Sequence, residues 1–190
     1  MDRTIKIHTA ADFDGMRAAG QMAAATLDYI TPHIVPGITT DAINTLVHDY
    51  TIKHGGTPAP LNYRGFPKSV CTSINHVVCH GIPGDKVLGG GDVINIDVTT
   101  ILDGWFGDTS RMFYGGNVGV KAQKLIDVTH QALWKGIEVV RPGATTGDIG
   151  HAIQTFAEKH RYSIVRDFCG HGLGRVFHDA PNIMHFGRPG

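Results

Sequence analysis

The sequence predicts an α+β fold made of two similar halves, because one pattern of helices occurs twice and a strand-rich segment follows its first copy. Residues 141–160 (RPGATTGDIGHAIQTFAEKH) align without gaps on residues 35–54 (VPGITTDAINTLVHDYTIKH). The two copies share a Pro-Gly pair, a Thr-Thr pair and a Lys-His pair at equivalent positions. We therefore expect a duplicated unit in which each half opens with a helix, a turn and a second helix.

Each Pro-Gly pair marks the boundary between two predicted helices. A long amphipathic stretch precedes it, at 16–34 in the first copy and at 121–140 in the second. After it, a threonine can cap a new helix, and apolar side chains follow at helical spacing. These apolar positions are Ile43, Val47 and Tyr50 in the first copy and Ile149, Ile153 and Phe156 in the second.

The remainder of the first half, from residue 61 to about 114, is rich in glycine and β-branched residues and predicts strands. We expect one domain over residues 1–190, with a first half at about 8–114 and a second half at about 115–190. By the repeat, the counterpart of the first half's closing hairpin would follow Gly190. We therefore expect a second half that is incomplete at its C-terminal end, the alternative being a second half that evolved a shorter ending.

Composition and charge exclude several classes of partner. The 17 basic and 17 acidic residues cancel, so no net charge attracts nucleic acid or anionic lipid. No apolar run approaches the ~20 residues of a membrane helix, and no signal-peptide segment opens the chain. Cys71, Cys79 and Cys169 lack a C-x-x-C spacing, which argues against a disulfide framework or structural zinc cluster and favours small buried residues. We expect a cytoplasmic protein that contacts neither membranes nor nucleic acid directly.

Residues 93–113 (VINIDVTTILDGWFGDTSRMF) predict a β-hairpin that carries two carboxylates on one face. The Asp-Gly pair at 103–104 is a strong two-residue turn signal, and it places Thr99 opposite Asp108. Asp97 is then a diagonal neighbour of Asp108. Two converging carboxylates repel, and burying them costs several kcal/mol unless a cation compensates. The hairpin therefore predicts a metal site, the alternative being two solvated aspartates on an open sheet.

Four histidines in glycine-flanked segments add candidate site residues. His171, His178 and His185 are spaced seven residues apart, but intervening glycines and a proline exclude a helical stripe. His80 lies in the segment CHGIPG. Glycines beside a histidine let the backbone approach closely and leave the imidazole able to reach a site. A single histidine is more often a hydrogen-bonded core residue, whereas four beside an aspartate pair favour a metal or catalytic site.

Three motifs together resemble the type I methionine aminopeptidases of the bacterial kind. They are NYRGFPKSVCTSINHVVCHGIPG, GDVINIDVTTILDGWFGDTSRMF and CGHGLGRVFHDAPNIMH, and the likeness runs collinearly from about residue 8 to the end. The resemblance implies the pita-bread fold, in which two pseudo-symmetric α+β halves surround a curved antiparallel sheet covered by helices. It also implies a metalloexopeptidase that removes the initiator methionine from nascent proteins with two divalent metal ions: cobalt, manganese, iron or zinc.

Carried over residue by residue, the resemblance implies a metal site and two catalytic histidines. Asp97, Asp108 and His171 match metal ligands, and Asp108 matches the one that bridges both ions. His178 matches the histidine that contacts the scissile peptide group, and His80 matches the one near the substrate that assists proton transfer.

The resemblance also implies a pocket for the methionine side chain beside the catalytic His80 and His178. Its lining would be Tyr63, Phe66, Cys71 and Phe177; the alternative for the aromatic members is an ordinary place in the core. Phe186 departs from the family pattern, which more often has tyrosine after the histidine.

The expected function is removal of N-terminal methionine from nascent polypeptides, with the ribosome as a further partner. The family supplies two further metal ligands, both glutamates, from strands that follow the matched segment, so we expect little aminopeptidase activity from residues 1–190 alone. The alternatives are a non-catalytic remnant that binds a peptide or a partner such as the ribosome, and another pita-bread peptidase such as a proline-specific one.

Overall fold

In the computed structural model, which describes residues 5–190, helix pairs alternate with antiparallel strands. The helices are α1 (Ala10–Ile30), α2 (Thr40–Lys53), α3 (Val120–Glu138) and α4 (Thr146–Lys159), and short 3-10 turns lie at Thr31–His33 and Tyr63–Gly65. The strands are β1 (Thr57–Pro58), β2 (Cys71–Ile74), β3 (Val93–Leu102), β4 (Trp105–Tyr114), β5 (Gly170–Gly172) and β6 (Asp179–Ile183). The predicted repeat of two helices in each half is therefore present.

The chain forms two compact units. The first, called here the N-terminal unit, contains Ile7–Gly119 and Leu173–Phe177. The second, the C-terminal unit, contains Val120–Gly172 and His178–Gly190. A short segment from late in the chain thus belongs to the N-terminal unit. The prediction of a single domain with halves that meet near residue 114 stays a prediction.

Threonine caps start the second helix of each pair, as the sequence predicted. The hydroxyl of Thr39 accepts a hydrogen bond from the Ala42 N–H at the start of α2. The hydroxyl of Thr145 accepts from the Asp148 N–H at the start of α4, and the Asp148 carboxylate accepts from the Thr145 N–H in return. Such caps satisfy N–H groups that have no partner inside the helix, and each contributes about 1 kcal/mol.

The β3–β4 hairpin has the predicted register. Thr99 pairs with Asp108, and Asp97 pairs with Ser110. The turn residues Asp103 and Gly104 have φ angles of 51° and 77°, which are the two left-handed conformations that a type I′ turn requires. Strand β4 pairs along one edge of β3, while β1 and β2 pair with successive stretches of β3 on its other edge.

The core of the N-terminal unit lies between helices α1 and α2 and one face of this sheet. Alternate residues of β3 contribute its centre, since Ile94, Ile96 and Val98 are fully buried. Fully burying one such side chain contributes about 1.5–3 kcal/mol. Helix residues Ala23, Leu27, Ile30, Ile43 and Val47 belong to the same cluster. The opposite face of β3, with Asp97 and Thr99, is left for polar chemistry.

The strand prediction for residues 61 to about 114 is only partly correct. Strands occupy 71–74, 93–102 and 105–114, whereas most of 75–92 is loop and turn. This loop holds two glycine-rich stretches and a proline, and lacks the alternation of apolar and polar residues that a half-buried strand needs. No helix within the described range 5–190 is long and apolar enough to cross a membrane.

In the C-terminal unit, α3 and α4 pack closely through small residues. A Cβ atom at Gly136 of α3 would lie 2.8 Å from the Ile153 side chain of α4, so any larger residue would require Ile153 to move. Strands β5 and β6 form a separate antiparallel pair with an irregularity at His171/Gly172. The three late histidines therefore lie on strands and loops, and not on a helix, as predicted.

Candidate metal and peptide site

The two hairpin carboxylates lie on the same face of the sheet. Asp97 precedes Thr99 by two residues on β3, and Asp108 is the cross-strand partner of Thr99, so all three side chains share one face. The Thr99 hydroxyl donates a hydrogen bond of 2.9 Å to Asp108 Oδ1. Burial, and then the negative charge of Asp108, raise the pKa of Asp97 to about 7. The fold thus holds Asp97 and Asp108 at positions where ionisation of both carboxyl groups is unfavourable.

This carboxylate pair fits a divalent cation. A dication in contact with both carboxylates would offset their repulsion and the loss of hydration of Asp97. Within either unit of the described chain, no three side chains of His, Cys, Asp or Glu converge on a metal-sized site. Within the N-terminal unit, the candidate ligands of such a cation are thus the two carboxylates of Asp97 and Asp108.

His171 and His178 lie side by side in the C-terminal unit, with ring centroids 4.4 Å apart. His171 Nδ1 lies 2.9 Å from the Gly172 carbonyl oxygen. Because a carbonyl oxygen only accepts, this hydrogen bond requires the proton on Nδ1, and a backbone carbonyl partner of this kind is typical of a metal-binding histidine. A Cβ atom at Gly172 would collide with the Ala180 carbonyl oxygen, so the glycine after His171 is required.

The third late histidine, His185, differs from this pair. It is half-buried, and burial lowers the pKa of its imidazole. At neutral pH, a histidine buried in this way carries a positive charge less often than an exposed histidine does. The family resemblance assigned His185 no role in the metal or substrate site.

His80 has a constrained backbone in an exposed position. Its φ angle is 56°, a left-handed conformation that non-glycine residues adopt infrequently. The next residue is clamped on β2: the Thr72 N–H donates to the Gly81 carbonyl at 2.8 Å, and the Gly81 N–H donates to Ser73 Oγ at 3.1 Å. Such conformations persist where surrounding structure fixes them, and they concentrate at functional sites.

Two of the predicted pocket aromatics are in contact. The rings of Tyr63 and Phe177 have centroids 4.8 Å apart. Phe66 is tied to Tyr63 through a turn, because its N–H donates to the Tyr63 carbonyl at 3.0 Å. Cys71 is buried and is the β2 partner of Asp97 in the sheet register. Of the predicted pocket residues, Cys71 therefore lies directly beside the carboxylate-bearing strand.

Phe106 is an aromatic neighbour of the predicted pocket residue Phe177, and the sequence reasoning missed it. Its ring stacks on Phe177 with centroids 5.5 Å apart and an interplanar angle of 22°. Phe106 precedes Asp108 by two residues on β4, so its side chain shares the face of the carboxylates. The period of two along β4 was the signal that could have identified it.

Of the three cysteine thiols, we expect that of Cys71 to be the least reactive. Burial, followed by the charge of Asp97, raises the pKa of Cys71 to about 12. Because the thiolate is the nucleophile, we expect iodoacetamide at pH 8 in the absence of metal to modify half-buried Cys79 and Cys169 well before Cys71, as followed by mass spectrometry. Early modification of Cys71 would contradict its burial beside Asp97. The expectation that all three cysteines are buried is wrong for Cys79 and Cys169.

The family and its relatives agree with this geometry. The model of Metallopeptidase family M24 matches residues 14–190. A methionine aminopeptidase of Rickettsia prowazekii is 65% identical over 187 residues, which cover 98% of this chain and 72% of the relative. Methionine aminopeptidase A of Synechocystis is 52% identical, covering 100% of this chain and 76% of the relative.

Solved structures give the same result. The crystal structure of the Rickettsia prowazekii methionine aminopeptidase superposes with a TM-score of 0.97, covering 98% of this chain and 75% of that one. The prolidase of Pyrococcus furiosus has a TM-score of 0.82 at 19% identity, covering 96% of this chain and 53% of that one, and this likeness shows the fold alone. The predicted α+β pita-bread fold is confirmed. With this family match and these identities, the chain belongs to metallopeptidase family M24 and, within it, to the methionine aminopeptidases.

Proposed function

We propose that Asp97, Asp108 and His171 hold two divalent metal ions and that this site hydrolyses the peptide bond after an N-terminal methionine. Membership of a metallopeptidase family implies divalent metal ions; their number, identity and ligands belong to the proposal. The observation that carries it is the pair of carboxylates on one face of the hairpin, where burial and mutual charge raise the pKa of Asp97 to about 7. Such a pair is stabilised by a dication.

The ligand chemistry supports cobalt, manganese, iron or zinc. Carboxylate oxygens and an imidazole nitrogen suit hard to borderline divalent ions. Asp108 is the ligand we assign to both ions, and the Thr99 hydroxyl that donates to its Oδ1 holds the carboxylate in one orientation. When bound, two such ions lower the pKa of a water molecule and polarise the scissile carbonyl.

Two histidines act on the substrate in this proposal. His178 donates a hydrogen bond to the scissile peptide group, and its ring contact with His171 links it to a metal ligand. His80 assists proton transfer near the substrate amine. The left-handed backbone of His80 supports a positioned role, because such a conformation is uncommon outside turns and functional sites.

The substrate side chain fits an apolar, aromatic-lined pocket. Tyr63, Phe66, Cys71 and Phe177 form it in the proposal, and the Tyr63–Phe177 ring contact supports their convergence. A flexible thioether makes favourable contacts with aromatic rings. The family's substrates are N-terminal methionines, and we place the reaction on nascent polypeptides in the cytoplasm, with the ribosome as the partner that delivers them.

The test compares residues 1–190 with a chimera that adds the part of the Rickettsia relative that this chain does not cover. Both are given saturating cobalt or manganese and either a Met-Gly peptide or an X-Pro peptide. We expect the chimera to release methionine from Met-Gly and to leave X-Pro intact. Residues 1–190 should show little turnover, because the resemblance implies two glutamate ligands outside them.

Three results would contradict parts of this proposal. Preference of the chimera for X-Pro would favour a proline-specific peptidase. Peptide binding without hydrolysis by the chimera would favour a non-catalytic binding protein. Comparable turnover by both polypeptides would show that Asp97, Asp108 and His171 suffice as ligands.

A further inference from the structure

We propose that Phe106 is a positioning residue that sets the ring of Phe177 and thereby determines how strictly the pocket selects methionine. The inference rests on the proposed function, because Phe177 is a pocket residue only there. Phe106 is not assigned any role by the motifs that carry the family resemblance. Its ring contact with Phe177 and its backbone hydrogen bond to Gly174 both lie within the N-terminal unit.

Phe177 is held between identified neighbours. Its ring contacts Tyr63 in a tilted arrangement at 4.8 Å and Phe106 in a stacked arrangement at 5.5 Å. Aromatic pairs favour tilted and offset-stacked geometries over a perfect face-to-face sandwich. Two preferred contacts on one ring restrict its rotation and translation more than either contact alone. Removing the Phe106 ring therefore takes away the stacked contact on Phe177 and leaves the Tyr63 contact in place.

The backbone that carries Phe177 is attached to the start of β4 as well. The Phe106 N–H donates a 2.8 Å hydrogen bond to the Gly174 carbonyl oxygen. Arg175 lies over the Trp105 ring at 4.1 Å, and its Nη1 donates to the Asp103 carbonyl at 3.1 Å. These backbone and cation–π contacts remain when only the Phe106 side chain changes. The side chain of Phe106 thus adjusts the Phe177 ring on a segment that is otherwise anchored.

The position of Phe106 on the sheet connects this adjustment to the reaction. Phe106 and Asp108 are two residues apart on β4 and share a face. A shift of Phe177 against Phe106 changes the space beside the carboxylates, where the proposed substrate side chain lies. A looser pocket admits branched side chains and contacts methionine less well, so selectivity falls while the groups that act on the peptide bond stay unchanged.

The kinetic experiment uses the chimera with the Rickettsia segment described above. The variants are Phe106→Leu, Phe106→Tyr and, as a matched control, Phe13→Leu. Phe13 lies on α1 with 46% of its surface exposed. We expect Phe106→Leu to lower the kcat/KM ratio for Met-Gly over Leu-Gly peptides by about tenfold, the size of a one-methylene discrimination. The loss should appear in KM for methionine with kcat nearly unchanged. Phe106→Tyr should restore the ratio, and Phe13→Leu should not alter it.

A second readout needs neither metal nor turnover. In residues 1–190, the nuclear Overhauser contact between the Tyr63 and Phe177 rings should weaken in Phe106→Leu and persist in Phe106→Tyr and Phe13→Leu. A persistent ring contact, or an unchanged Met/Leu ratio in Phe106→Leu, would overturn the inference. If the chimera proves inactive, the proposed function fails, and the ring contact alone then decides whether Phe106 positions Phe177.

Discussion

Replacing Asp108 by asparagine in the chimera should reduce hydrolysis of a Met-Gly peptide at least about a hundredfold. The reason is that bound metal supplies several kcal/mol of transition-state stabilisation. Asparagine keeps the size of the side chain, and its amide oxygen can still accept the hydrogen bond from Thr99. What it loses is the negative charge that we assign to both ions. Peptide kinetics and calorimetric metal titration measure the two consequences separately.

Asp103 provides the matched control on the same hairpin. Asp103 is an exposed turn residue with φ 51°, a conformation that asparagine tolerates well. Asp103→Asn is therefore expected to retain both activity and metal affinity. Equal losses in the two variants would mean that the hairpin responds to any loss of charge, and normal metal binding by Asp108→Asn would remove Asp108 from the ligand set.

Replacing Asp97 by asparagine should stabilise the metal-free chain at alkaline pH while abolishing the metal site. Asp97 has a folded pKa of about 7 against an ordinary value of 3.8, so between these pH values the folded state holds a proton that the unfolded state has released. The contribution of Asp97 to stability therefore falls as pH rises from about 4 to about 7. Above pH 7 the asparagine variant should be more stable by on the order of 4 kcal/mol, because each pKa unit corresponds to about 1.4 kcal/mol.

Urea unfolding of residues 1–190 with a chelator, at several pH values, measures this difference. Asp103→Asn again serves as the control and should follow the pH profile of the unsubstituted chain. Parallel profiles for Asp97→Asn and the unsubstituted chain would show that the Asp97 carboxyl is not destabilised in the folded state. Adding cobalt or manganese should stabilise the unsubstituted chain and not Asp97→Asn, because only a binding-competent native state gains from a ligand.

Local patterns in the sequence predicted the features whose partners are near in the chain. The Asp-Gly turn and the period of two placed Asp97 and Asp108 on one face, and the register bears this out. Threonine after Pro-Gly predicted the caps of α2 and α4, and both caps form. Hairpins and caps depend on a few consecutive residues, so a single sequence contains the information that they need.

Features that depend on distant segments were not predictable in this way. Phe106 stacks on Phe177, and the ring that it contacts follows far along the chain, so no local period indicates the pair. The contact of Arg175 with Trp105 has the same character. The left-handed backbone of His80 was also missed, because histidine carries little conformational signal of its own and the clamp of Gly81 on β2 fixes it.

The segment Leu173–Phe177 belongs to the N-terminal unit although it comes late in the chain. During synthesis, this unit therefore cannot finish folding until that segment has been made. Translation produces all of residues 120–172 before this segment, which takes several seconds at about 5–20 residues per second. During that interval the Phe106 N–H has no Gly174 carbonyl to bind, and the Trp105 ring has no Arg175 above it. The hairpin can form early. The ring contacts of Phe177 with Tyr63 and Phe106 form only after Phe177 has been synthesised.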